Sequence, residues 1–361
     1  MKVFPVGADA GGRPRSWTVV GDDFAPIEPI DSYLALLQHL ERSPNTVKAY
    51  AYDLKSYWGY LQHARRDWRE VTVDDVAGFV RSLRMPANVV TFTEQQPQRS
   101  TATVNRALSS VFSFYDYHQR RGVPVAERLV QWRGGQRTYK AFMHHAVKDT
   151  PLRGRALRLR EEPKLPQRLS TTEVTAILEA CTHLRDRLLF RTMYETGLRV
   201  GQVLGLRHED WRSWDKVITV VARDGNPNGA RSKSRGRHEV PMPPALVRLY
   251  SDYMHEEYGD LDCDFIFVNL WAAPFGSPMT YSTVNHIVQR LRTKTGVYFT
   301  PHMTRHSAAS NWIAAGVPAA VVSRLLTHAS QTSMDAYIHL SVEELRTALL
   351  RAGTLTPEEW C

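Results

Sequence analysis

The chain has 361 residues, 43% hydrophobic and 23% charged, which suits two domains each large enough to bury its own apolar interior. A formal net charge of +9 and a pI near 9.5 favour a polyanionic partner, nucleic acid first, and no long uncharged apolar run of membrane-spanning length is present. Cys181, Cys263 and Cys361 are far apart and lack CxxC spacing, which argues against a disulfide framework or a zinc site and points to a reducing cytoplasm; no export signal is expected from the pattern of the first residues.

Residues 1–29 read as an N-terminal extension, with glycine and charge concentrated over 6–16. Ile30, Tyr33, Leu34, Leu37 and Leu40 then recur at three- and four-residue steps, predicting a first helix over 30–41. Ser43-Pro44 offers an N-cap with proline at the first helical position, and Val47, Tyr50, Leu54, Tyr57 and Leu61 carry the second helix. Thr72 caps a third, with Val76, Phe79, Val80 and Leu83 on one face; a fourth carries Val104, Leu108, Val111 and Tyr115. Pro86–Ser100, polar and without periodicity, reads as a loop, so residues 30–130 form a small helical bundle.

Residues 131–169 differ in composition. The stretch Gln131–Ser170 holds ten Lys and Arg against Asp149, Glu161 and Glu162, and Pro151, Pro163 and Pro166 break any long helix in its second half. A basic interdomain linker is expected, lying along phosphates; a merely solvated charge run is the competing reading, and salt-sensitive affinity separates the two.

From Ser170 the pattern is mixed. Ser170 or Thr171 caps a helix with Val174, Ile177 and Leu178; a second runs from Leu184 to a stop at Gly197, and a short one follows over Arg199–Leu206. Lys216–Ala222 is a β-branched strand, Asp224–Gly229 a turn cluster, and a second strand ends at Val240-Pro241, giving a long β-hairpin. Helices are expected near 243–256, 280–293, 301–314 and 317–326, with a last one over 342–352; its stripe of Val342, Leu345, Leu349 and Leu350 suits packing within its own domain and docking on a neighbour equally.

Chemistry enters at Thr300-Pro301-His302-Met303-Thr304-Arg305, a helix start with His302 and Arg305 three apart on one face. A helix N-terminus favours a phosphate, and a guanidinium can hold two of its oxygens in a fork. Arg199 leaves a sharp corner just beyond Gly197 and is a candidate for a second phosphate ligand. His328 follows an apolar helix, and Tyr337 lies nine positions later among small and polar residues. Taken singly, each is more simply a surface or packing residue.

Together these residues resemble the tyrosine recombinase (phage integrase) family, whose C-terminal domain carries Arg, Lys, His-x-x-Arg, His and Tyr in that order. The first arginine motif matches Thr196-Gly197-Leu198-Arg199-Val200-Gly201-Gln202, the hairpin lysine Lys233, the box His302 to Arg305, the second histidine His328, and the nucleophile Tyr337. Ser43–Tyr50 with Asp53-Leu54 resembles the second helix of the family's core-binding domain, so the similarity covers most of 30–352. The resemblance implies a mainly helical fold: an N-terminal core-binding bundle, and a catalytic domain over 170–361 with a small β-hairpin and a tail helix.

It further implies a site-specific recombinase. Tyr337 attacks the scissile phosphate to give a 3′-phosphotyrosine; Arg199 and Arg305 grip the non-bridging oxygens; His328 hydrogen-bonds the same phosphate. Lys233 protonates the departing 5′ oxygen, and His302 accepts the proton of Tyr337. No metal or nucleotide cofactor is expected. The implied partners are double-stranded DNA at specific sites and further copies of the chain, a tetramer on DNA, with other element-encoded proteins as additional partners. Three positions depart from the family: Gln202 replaces the usual acid, Thr304 a usual leucine, and Thr327 a usual glycine. The long extension, Phe24–Ile30 and the basic linker resemble the transposase A group of site-specific transposons. Alternatives are a phage integrase, a Xer-like resolvase, a type IB topoisomerase, and a non-catalytic DNA-binding protein of the same fold.

Overall fold

The computed structural model describes residues 1–8, 14–84, 99–123, 130–133, 152–155, 157–160, 167–223, 225–232 and 236–326, together with Arg346 and Leu350. The chain divides into two compact units, Met1–Pro163 and Lys164–Cys361.

In the first unit, four amphipathic helices are set by their caps. Helices α1 (Glu28–His39), α2 (Pro44–His63), α3 (Val73–Arg84) and α4 (Thr101–Arg120) follow the predicted periods. The Ser43 and Ser100 hydroxyls accept the Thr46 and Thr103 N–H groups, satisfying amides that would otherwise be orphaned at the starts of α2 and α4. The apolar faces meet in an aromatic core, where Tyr57 packs edge-on against Phe79 and shares a 2.8 Å hydroxyl contact with Tyr115. Asp53, 2% exposed, receives the Arg106 guanidinium at 2.7 Å and the Ser110 hydroxyl at 2.8 Å, so a buried carboxylate ties α2 to α4.

Two features of this unit were not expected. The extension is a β-hairpin, β1 (Lys2–Ala8) paired antiparallel with β2 (Pro14–Val20), and Lys48 on α2 sits 4.5 Å above the Trp17 ring. Part of the expected linker also pairs, β3 (Val130–Arg133) against β4 (Leu152–Arg155). Downstream, the Asn105 amide both donates to and accepts from the Leu159 backbone at 2.9 Å, and Leu157 and Leu159 pack on the bundle core while Arg158 and Arg160 stay exposed. The expected loop over Pro86–Ser100 lies mostly outside the described residues.

The second unit is helical around a small sheet. Ser170 and Glu173 form a reciprocal capping box at the start of α5 (Thr171–Ala180), and α6 (Leu184–Thr196) follows. A single turn, α7 (Val200–Val203), leads to a three-stranded antiparallel sheet in the order β5-β6-β7. The predicted hairpin is β6 (Val217–Val221) with β7 (Arg237–Pro241), and a two-residue strand, β5 (Trp211–Arg212), adds to its edge. Helices α8 (Pro244–Tyr253), α9 (Tyr281–Thr295), α10 (Pro301–Ala314) and α11 (Ala319–Leu325) complete it. The core gathers Leu188, Phe190, Ile218, Phe267 and Phe299. Of the expected last helix only Arg346 and Leu350 are described. Arg346 donates to the Asp215 carbonyl at 2.8 Å and Leu350 packs on the core of this unit, so these two positions dock within it. Among the described residues no helix is long and apolar enough to cross a membrane.

Candidate active site

Arg199 stands where two helices meet. Gly197 caps α6 with φ 65°, the left-handed conformation that glycine adopts without strain. A Cβ there would lie 2.8 Å from Leu326 Cδ2 and 3.0 Å from the Trp312 ring. Glycine therefore permits the turn and also leaves room for α10 and the end of α11 to close on it. Leu198 is buried, and Arg199, half-buried, is the N-cap of α7. Its N–H donates to Gln202 Oε1 at 2.9 Å, so the first turn of α7 is capped from within by the residue three further on.

Arg305 reaches the same corner from α10 and is only 3% exposed. Its Nη1 donates to the Gly197 carbonyl at 2.6 Å and an Nη2 proton goes to the Leu326 carbonyl at the end of α11. A guanidinium has five N–H donors, so these two bonds leave others for a ligand. Burial, and then the positive charge of Arg199, depress its pKa to about 9. Arg199 is itself held below the ordinary arginine value by burial. Two partly desolvated guanidiniums of like charge at one corner are stabilised by an anion between them, and a phosphate offers the oxygens for both.

His302 is placed differently. The Thr300 hydroxyl caps α10 and Pro301 fills its first position, as the sequence suggests. Three residues turn a helix by about 300°, which leaves a 60° offset between His302 and Arg305. That offset suffices to separate them: Arg305 is buried, whereas His302 is exposed with its ring 4.4 Å from His306. Thr304 is buried, its hydroxyl returned to the Pro301 carbonyl at 2.8 Å. Lys233, Thr327, His328 and Tyr337 lie outside the described residues. The structure thus brings together Arg199, Arg305 and the carbonyl of Leu326, two positions ahead of His328. The two carbonyls that hold Arg305 carry no side-chain signal in the sequence; only the helix stop at Gly197 hints at one of them.

The N-terminal SAM-like domain of phage integrases matches residues 30–122, and the phage integrase family model matches 167–344. Transposase A from transposon Tn554 of Staphylococcus aureus is 35% identical over 334 residues, spanning 91% of this chain and 92% of the relative. The chain is a tyrosine recombinase of the phage integrase family. Its likeness extends to the tyrosine recombinase XerA of Thermococcus onnurineus (strain NA1), 26% identical over 90% of this chain and 95% of that one. Among solved structures, the Tn1549 transposon integrase in complex with a circular intermediate DNA shares the fold, with a TM-score of 0.55 at 16% identity over 90% of this chain and 99% of the other. The recombinase accordingly has a SAM-like helical domain and a catalytic domain with a small antiparallel sheet.

Proposed function

We propose that this recombinase mobilises a transposon-like element by cutting and rejoining duplex DNA at specific sites through a 3′-phosphotyrosine at Tyr337. The observation that carries the reading is the buried Arg305 clasped to the Gly197 corner beside Arg199, an anion site built from two guanidiniums. The transposase A relative, matched over nearly the whole of both chains, supports a mobile element over a chromosome resolvase.

In the proposed step the Tyr337 oxygen bonds to phosphorus as the P–O5′ bond breaks, with His302 taking the tyrosine proton. Lys233 gives its proton to O5′ and becomes a neutral amine. Arg199 and Arg305 neutralise the non-bridging oxygens and His328 hydrogen-bonds one of them, so cationic side chains do the work that a metal does elsewhere. The covalent intermediate keeps the bond energy for rejoining. In this reading residues 30–130 grip the duplex, 131–169 form the basic link, 170–361 cleave, and four copies assemble on paired sites.

Tyr337→Phe is expected to bind its DNA site with unchanged affinity and to form no covalent adduct on a nicked suicide duplex, read by denaturing gel. An adduct from that variant removes Tyr337 as nucleophile. The XerA likeness favours a second reading, a resolvase, in which a two-site plasmid is resolved but element ends are not joined into a circle.

A further inference from the structure

Among the described residues of the second unit, three arginines lie over aromatic rings: Arg185 over Trp271, Arg207 over Phe265 and Arg292 over Tyr298. The first two spend their charge inside the chain, on Asp186 at 2.7 Å and on Asp264 at 3.7 Å. Arg292 meets no carboxylate among the described residues, and α9, which carries it, contains no Asp or Glu. A cation left uncompensated at a surface calls for an anion from outside the chain.

The guanidinium is held in one place. Its Nε donates to the Phe299 carbonyl at 2.7 Å, and its Cζ lies 4.4 Å from the centre of the Tyr298 ring. Phe299 is wholly buried and edge-on to Phe190 of α6 at 5.6 Å, so the carbonyl that anchors the arginine is itself fixed. Tyr298 is 63% exposed and Arg292 half-buried, which puts the stacked pair at the surface. An arginine has five N–H donors, and the four not given to Phe299 make no hydrogen bond among the described residues. The Nε bond ties the end of α9 to the approach to α10, which is a structural role. That role does not use the remaining donors, whose orientation the ring and the carbonyl have already set.

The pair is also close to the arginine corner along the chain. Three steps separate Phe299 from His302 and span at most about 11 Å. On a strand that rises about 3.4 Å per nucleotide, that is about three nucleotides. We propose that Arg292, braced by Tyr298, binds a DNA backbone phosphate that flanks the scissile one within about three nucleotides, and so fixes the register of the strand. This rests on the reading of the arginine corner as the place where the strand is cut. A fork of N–H groups on a planar cation suits two oxygens of one phosphate, and such a contact positions the duplex without reading its sequence. Arg292 exchanges no proton in this role.

The test measures the affinity of the full chain for a series of element-end duplexes, each with one uncharged methylphosphonate near the cleavage point. The Tyr337→Phe variant serves as the background. One flanking methylphosphonate is expected to weaken its binding by about five- to tenfold. Arg292→Ala should lose the same factor on unmodified DNA and lose nothing more at that position, while the other methylphosphonates cost what they did before. Its slope of log Kd against log salt should fall by about one. Tyr298→Phe should match the background. Tyr298→Ala keeps the charge and removes the brace; it should lose about two- to threefold, at the same phosphate alone, and serves if Arg292→Ala does not fold. Losses that add to those of every methylphosphonate, or an unchanged salt slope, overturn the proposal. Only affinity is read, so the result does not depend on which residue is the nucleophile; failure of Tyr337 in that role appears separately, as an adduct from the background variant.

Discussion

A guanidinium almost wholly withdrawn from solvent is tolerated only when its protons have partners, and Arg305 finds two in backbone carbonyls that no substitution of a neighbouring side chain can remove. Its depressed pKa, about 9, has a sign that can be tested. The unfolded chain binds this proton more tightly than the folded one, so at neutral pH the folded protein bears the full cost of burying the charge. That cost is relieved as pH rises above about 9 towards the ordinary arginine value, so the contribution to stability rises over that window. An anion at the corner offsets the same cost. Sulfate is therefore expected to raise Tm over chloride at matched ionic strength at pH 7, with the increment shrinking above about 9; calorimetry that finds no increment at pH 7 would remove the anion site, and one that finds it flat across that range would mean that Arg305 keeps its proton. Arg305→Lys should lose most of the increment, because an ammonium cannot fork to two carbonyls and a phosphate at once.

At the scale of elements, the corner depends on Gly197 more than on any polar bond. Gly197→Ala combines a left-handed backbone cost of about 1–2 kcal/mol with a clash against Leu326 and Trp312. Gly296→Ala, at another left-handed helix cap with nothing within 4 Å, carries the backbone cost alone. Denaturant unfolding should find the first costlier by about 1 kcal/mol or more, and equal losses would mean that the close approach of α10 and α11 is unimportant. The helices were legible in the sequence because Ser43, Ser170 and Thr300 announce starts and the apolar spacing does the rest. The N-terminal hairpin was not, since Pro5 and Gly7 interrupt β1 and its side chains lie mostly exposed, leaving no alternation to read. β5, two residues long, has too little pattern of its own. The motifs that single out Arg199 and Arg305 were legible; the burial of Arg305 was not, because periodicity treats an arginine as a surface residue. Gln202 was noticed only as a departure, and its bond to Ser232 depends on a turn that brings together positions far apart in the chain.

For the whole molecule, the excess of basic over acidic residues makes affinity for DNA a matter of counterion release. Arg158 and Arg160 are exposed on a strap whose leucines face the helical core, so each is presented outward without cost to packing. Replacing either with alanine should reduce the slope of log Kd against log salt by about one and leave sequence preference unchanged; an unchanged slope would mean that the strap lies away from phosphates. The strap is held by a helix side chain acting as a strand would, with the Asn105 amide supplying both halves of a backbone pair to Leu159. Nothing in the hydrogen-bond ladder of α4 uses that amide. Release of the strap and unfolding of α4 are thus separable events, and the Leu159 amide proton, protected by Asn105, can report the first by exchange with deuterium while the amides of α4 remain silent.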